Sequence, residues 1–158
     1  MRKLAFVIPA YNEEALIGKC LESVVAEVAR SGADAEIIVV NNASTDRTGE
    51  IARGFPTVRV VDEPRKGLVN ARHAGFAASE GFELIANIDS DTIVPPGWLD
   101  TVLDEFARDP GLVCLSGPYV YYDMSAWSRF LVSMFYGLTW LIYVVNRYLL
   151  RVGSVVQG

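Results

Sequence analysis

Two acids one residue apart, Asp89 and Asp91, stand at the end of an apolar run, Glu83 to Ile88, and ahead of Pro95-Pro96. Carboxylates that close repel each other, and neither has a basic neighbour in sequence. A hard divalent cation, Mg²⁺ or Mn²⁺, relieves the repulsion, because it takes carboxylate oxygens and keeps open positions for phosphate oxygens. A metal there neutralises a diphosphate and lets it leave with its bonding electrons. Arg65-Lys66-Gly67 puts two cations ahead of a helix start, whose free N–H groups also favour an anion. Arg72 lies five residues beyond Gly67 and can reach the same place. Asn41-Asn42 offers amide donors and acceptors to a nucleobase edge. His73, the sole histidine, has no partner in sequence and reads as a helix residue beside the site.

The elements that must position these groups alternate. Leu4–Ile8 is an unbroken apolar run, as expected for a strand buried on both faces, with Pro9 as its end. Asn12-Glu13-Glu14 reads as the start of a helix, an Asn cap followed by acids that complement the helix dipole. Ile17, Leu21, Val24 and Val28 give that helix one apolar face, and Gly32 marks its exit. Strands are expected at 36–40, 58–61 and 83–88, with helices from Ser44-Thr45-Asp46 to about Gly54, from Gly67 to about Ser79, and from Pro95-Pro96-Gly97-Trp98 to Asp109. Val113-Cys114-Leu115 and Tyr119–Tyr122 read as further strand. Strands alternating with helices imply an α/β, doubly wound, mostly parallel sheet flanked by helices. Ligands of such sheets bind beyond the carboxyl ends of the strands. Four polar clusters fall there: Tyr11-Asn12-Glu13, Asn41-Asn42, Asp62-Glu63 and Asp89-Ser90-Asp91.

The order Val7-Ile8-Pro9-Ala10-Tyr11-Asn12-Glu13-Glu14, Val39-Val40-Asn41-Asn42-Ala43-Ser44-Thr45-Asp46, Lys66-Gly67-Leu68-Val69-Asn70-Ala71-Arg72-His73, Asp89-Ser90-Asp91 resembles the motif series of family 2 glycosyltransferases of GT-A, Rossmann-like nucleotide-binding fold. The resemblance covers residues 4 to about 115 and implies transfer of a sugar from a nucleoside diphosphate sugar, a UDP-sugar favoured, with inversion at the anomeric carbon. It implies that Pro9, Ala10, Tyr11 and Glu13 border the nucleoside and that Asn42 occupies the base-reading position. Arg72 would contact base or phosphate, Asp89 would face ribose or sugar, and Asp91 would hold the metal. Lys66 belongs to the anion site. Asn41-Asn42 replaces the commoner Asp-Asp or Asp-Asn, and Arg65 and His73 stand where the pattern often has Asn. The family's catalytic base lies well after the Asp-x-Asp pair and is expected here beyond Gly158, so the chain reads as the donor-binding, N-terminal part of such an enzyme.

The chain has 158 residues and a net charge of −5, which argues against a nucleic-acid partner, since that would want a basic face. The charge is uneven. Residues 124–158 hold Arg129, Arg147 and Arg151 and no acid, leaving 11 basic against 19 acidic residues in the first 123. The expected organisation is a nucleotide-sugar-binding domain at 1–123 and an apolar helix opening the acceptor side at 124–158. Within it, Phe130 to Asn146 is uncharged, about 25 Å as a helix, and Trp127, Trp140, Tyr143 and Tyr148 suit a membrane interface. Apolar residues occur nearly all round it, so it calls for a cover, either a membrane surface or protein such as a second copy. Cys20 and Cys114 are expected as buried free thiols, and the location as cytoplasmic, extending to the inner face of the membrane. The acceptor class, polysaccharide, lipid or protein, is open. Two other functions are carried: a nucleotidyltransferase, against which the acidic Tyr11-Asn12-Glu13-Glu14 stands in place of a Gly-rich basic loop, and a non-catalytic binding or assembly module that dimerises through 124–150, which the missing base favours for the chain as given.

Overall fold

The computed structural model describes residues 2–117 and 124–146. The chain divides into two compact units, residues 1–110 and 111–158. The first holds the strands β1 (Leu4–Ala10), β2 (Ala35–Asn41), β3 (Val58–Asp62) and β4 (Leu84–Asn87), and the helices α1 (Ile17–Ser31), α2 (Thr48–Arg53), α3 (Leu68–Ala78) and α4 (Trp98–Arg108). The strands form a sheet in the order β3-β2-β1-β4, and every pairing is parallel.

That order makes β1 the pivot. The chain steps outward from β1 to β2 to β3, then returns to the other side of β1 for β4, and right-handed crossovers then send α3 to the opposite face from α1 and α2. Side chains of β1 alternate accordingly. Leu4, Phe6, Ile8 and Ala10 join Ile17, Leu21 and Val24 of α1 and Leu99 of α4 in the main core. Val7 of β1 and Val40 of β2 face α3, where Gly75 lets helix and sheet approach closely. A Cβ at Gly75 would overlap Val7 Cγ1 and lie 3.2 Å from Val40 Cγ2. Gly75→Ala is therefore expected to destabilise by about 1–3 kcal/mol, the usual range for overpacking a filled interior. Urea unfolding checks it, and an unchanged midpoint would mean that α3 rides freely over the sheet.

Three expectations about local structure are corrected. Pro9 does not end β1 but lies within it, opposite Val40. Its nitrogen points toward β4, whose ladder with β1 has already ended at the Val7–Asn87 pair, so no hydrogen bond is lost. Helix α1 begins at Ile17, not near Asn12, and its first turn carries no acid. Val113-Cys114-Leu115 is not a strand; Val113 is 93% exposed and Cys114 is exposed rather than buried. A three-residue run between Gly111 and Gly117 has no ladder partner among the described residues, and a strand needs one. The expected strand at Tyr119–Tyr122 lies outside the described residues. The Gly32 exit is as expected: its φ is 65°, left-handed, and its N–H closes on Val28 O.

In the second unit, α5 (Ala126–Val144) is capped by Ser125, whose hydroxyl accepts from Ser128 N–H at 3.2 Å. None of its residues is buried, and Trp127, Phe130, Phe135 and Trp140 are exposed. Among the described residues, no helix is long and apolar enough to cross a membrane.

Candidate functional site

The site lies beyond the carboxyl ends of β1, β2 and β4, beside the point where the strand order reverses. Its base is a clasp between the loops after β1 and β2. Asn12 N–H donates to Ser44 Oγ at 3.2 Å, Glu13 N–H to Thr48 Oγ1 at 2.8 Å, and Glu14 N–H to Asp46 Oδ2 at 3.1 Å. In return, Thr45 N–H donates to Asn12 Oδ1 at 2.8 Å and Arg47 N–H to Glu14 Oε2 at 3.1 Å. This is why α1 starts late: the polar residues that resemble a helix start are held by the neighbouring loop. Asn12 and Ala43 are left-handed, with φ of 55° and 56°; Asn tolerates that region, whereas the Cβ of Ala43 is disfavoured there by about 1–2 kcal/mol.

Five of the expected binding residues line one pocket of about 210 Å³: Pro9, Ala10, Tyr11, Asn42 and Lys66, joined by Gly67, Leu68 and Ala71. Lys66 Nζ sits 4.0 Å from the centre of the Tyr11 ring and donates to Tyr11 Oη at 2.5 Å, so a cation and an aromatic face close one side together. Asn42 is 3% exposed. Its carboxamide, expected at a base edge, is engaged by the chain itself. Its Nδ2 donates to Glu63 O at 3.1 Å and Arg65 O at 2.8 Å, and its Oδ1 accepts from Gly67 N–H at 2.7 Å.

Arg72 and Asp89 meet at 3.8 Å between α3 and the loop after β4, both half exposed, a contact worth little by itself. Glu13 stands near Asp91: burial first, then the charges of Asp91 and Asp46, push its carboxyl above its ordinary value. Beneath the loop, Cys20 Sγ–H donates to Asp89 O at 3.7 Å. Burial, then Asp91 and Asp89, push that thiol up to about 12, so it stays protonated. Arg65, expected at the anion site, turns instead to Glu63, and its guanidinium and N–H hold that carboxyl at about 2. His73 lines a shallow depression along α3 with Arg72, Phe76 and Ala77.

Among the described residues, no three acidic, histidine or cysteine side chains enclose a cation. The crowding of negative charge at Glu13 and Asp91 fits a divalent ion held by one or two carboxylates and completed by substrate oxygens, the usual manner of Mg²⁺.

One structural residue had no place in the sequence reading. Glu27, on the inner face of α1, is 2% exposed and accepts from Gly97 N–H and Leu99 N–H at the start of α4. The available signal was an acid seven residues after Cys20 and three after Val24, on the apolar stripe itself.

Residues 5–149 match the family model described as Glycosyl transferase family 2. Chondroitin synthase of Pasteurella multocida (strain Pm70) is 30% identical over 116 residues, 71% of this chain and 12% of that protein. The crystal structure of glucosyl-3-phosphoglycerate synthase from Mycobacterium tuberculosis in complex with Mn²⁺ and uridine-diphosphate-glucose is 30% identical, with a TM-score of 0.55 over 67% of this chain and 39% of that one. The structure of S. aureus TarS 1-349 is 21% identical with a TM-score of 0.59, over 78% of this chain and 40% of that one, a likeness of fold. The chain thus spans 12% of the first relative's length and about two fifths of each of the other two.

Proposed function

This chain belongs to glycosyl transferase family 2, and from that premise we propose that it forms the donor-binding part of an enzyme that moves a sugar from a nucleoside diphosphate sugar, favoured to be a UDP-sugar, onto an acceptor hydroxyl with inversion. The observation that carries the reading is the pocket of Pro9, Ala10, Tyr11, Asn42 and Lys66 at the strand ends, with Arg72 and Asp89 paired at the end of β4. A structure 30% identical to this chain holds Mn²⁺ and UDP-glucose, which supports the same ligand class here.

In this reading the nucleoside enters beside Tyr11, whose ring offers a face to stack on. Lys66 and the first N–H groups of α3 present positive charge to the diphosphate. Arg72 adds a further cation there, its contact with Asp89 being weak enough to exchange for a phosphate. Asp89 faces the ribose or the sugar, where a carboxylate accepts from hydroxyls. Asp91 is the residue that would hold Mg²⁺ or Mn²⁺, which supplies charge neutralisation to the departing diphosphate. Glu13, raised first by burial and then by the charges of Asp91 and Asp46, gains from the same cation because added positive charge offsets the repulsion from those two acids.

Titration of the protein with UDP, in Mn²⁺ and again in EDTA, tests the proposal. Saturable binding in Mn²⁺, much weakened in EDTA, is expected. No binding at millimolar UDP with Mn²⁺ present would remove the donor-site reading.

A further inference from the structure

We infer that Asn42 is a positioning residue: its neutral carboxamide builds the Lys66 wall of the pocket and spends both its donors on the turn rather than on the nucleotide base. The inference rests on the donor-site reading above for the pocket's ligand, but its geometry stands apart from it. Both hydrogens on Asn42 Nδ2 go to carbonyls, of Glu63 at 3.1 Å and Arg65 at 2.8 Å, and Oδ1 takes the Gly67 N–H at 2.7 Å. The residue's own N–H donates to Ala10 O at 2.9 Å, which ties it to the end of β1. One residue therefore links the end of β1, through its backbone, to the turn from Glu63 to Gly67, through its side chain.

That turn decides where Lys66 goes. Gly67 has a φ of 132°, which a residue with a Cβ rarely adopts, and it is the N-cap of α3. Its N–H, held by Asn42, sets the direction in which the preceding residue leaves the turn. Lys66 then reaches Tyr11 at 2.5 Å and closes the pocket. Unpinned, the turn would retain Glu63 N–H on Asn41 O, the Glu63–Arg65 contacts, Asn70 Nδ2 on Lys66 O at 3.2 Å and Ala71 N–H on Gly67 O at 3.0 Å, none of which holds the Gly67 N–H.

Charge state is the discriminating property. An aspartate is the same shape as asparagine but only accepts. In Asn42→Asp a carboxylate would face two carbonyl oxygens at hydrogen-bond distance with no hydrogen between, while keeping only the Gly67 bond. A base-reading role predicts the reverse, because a carboxylate accepts from a base N–H at least as well as an amide oxygen does.

The experiment is UDP titration in Mn²⁺ of wild type and Asn42→Asp, repeated from pH 7.5 down to about pH 5, with each variant affinity divided by the wild-type value at the same pH. We expect a loss of tenfold or more at neutral pH that shrinks as pH falls, because protonation of the introduced carboxylate restores one donor. A merely loosened fold would not recover on acidification. Equal or tighter binding by Asn42→Asp at neutral pH would overturn the inference. A second measurement needs no variant: the Gly67 amide of the wild type should exchange slowly with solvent, with and without UDP. Fast exchange of that amide, or loss of its protection when UDP is added, would show that Asn42 leaves the turn, and would overturn the inference even if Asn42→Asp fails to fold. Should the wild type bind no UDP at all, the donor-site reading falls, and Gly67 exchange still decides the role of Asn42 in the turn.

Discussion

Glu27→Ala is expected to lower the unfolding free energy by about 3 kcal/mol or more, on the scale of losing a buried charge with its charge-assisted hydrogen bonds. Its carboxylate takes four hydrogen bonds: Arg30 Nε at 2.8 Å and a second Arg30 nitrogen at 2.9 Å, Gly97 N–H at 3.0 Å and Leu99 N–H at 2.8 Å. The last two belong to the start of α4, where the chain otherwise has no side-chain cap and where negative charge is favoured. Removing the carboxylate leaves the buried Leu99 N–H without an acceptor. Arg30 is partly relieved, since it keeps Asp100 at 2.7 Å and is 40% exposed, which holds the expected loss near the lower end of what a fully buried pair would show. Urea unfolding of Glu27→Ala beside Glu27→Gln measures the effect. A loss under about 1 kcal/mol for the alanine variant would mean that α4 is held by its apolar face alone.

Glu27 also sets a pH dependence. Arg30's hydrogen bonds, outweighing burial, with those of Leu99 and Gly97, lower its carboxyl from 4.5 to about 2. A carboxyl lowered in the folded state contributes its full stability above the unfolded value and loses it as pH falls through the folded one. Wild type should therefore lose stability between about pH 4.5 and pH 2 more steeply than Glu27→Gln, which has no proton to take up.

The second large effect concerns binding. Asp91→Ala should weaken UDP in Mn²⁺ by roughly 100-fold, about 3 kcal/mol, the several-kcal/mol scale on which a bound metal stabilises charge. In EDTA the sign should change. With no cation, Asp91 only repels the diphosphate, so the alanine variant should bind UDP as well as the wild type or better. The crossing of the two curves is the diagnostic feature, because a variant that merely unfolds the loop would lose in both conditions. Unaltered affinity of Asp91→Ala in Mn²⁺ would take Asp91 out of the metal site. The raised Glu13 carboxyl gives a companion measure: with Asp91 removed, Glu13 should titrate closer to its ordinary value, since one of its two acidic neighbours is gone.

Much of the architecture was legible before folding. Apolar runs at 4–8, 36–40, 58–61 and 83–88 all became strands, and the helical spacing of Ile17, Leu21 and Val24 became the face of α1 that joins the core. These signals are local: a period of about two or 3.6 is written along the chain and survives whatever the rest of the protein does. The placing of polar clusters at strand ends was legible for the same reason, since alternation of strand and helix leaves few places for a ligand. Pro9, Ala10, Tyr11 and Lys66 therefore met in one pocket as their positions implied.

What failed to show in the sequence was the destination of each polar side chain. Asn12-Glu13-Glu14 carries every local mark of a helix start, yet Ser44, Asp46 and Thr48 hold its backbone instead. Glu27 looks like a flaw in an apolar stripe until residues 97 and 99 arrive above it. Asn42 looks like a free amide until the turn at 63–67 folds over it. The sequence by itself determined which segments bury apolar surface and in what order, because burial follows a periodicity carried by neighbouring residues. Only the tertiary structure decided what Asn42 and the backbone of α4's start bond to, because a hydrogen bond requires a partner within about 3 Å, and that partner is supplied by a segment 20 to 70 residues away once the sheet has closed.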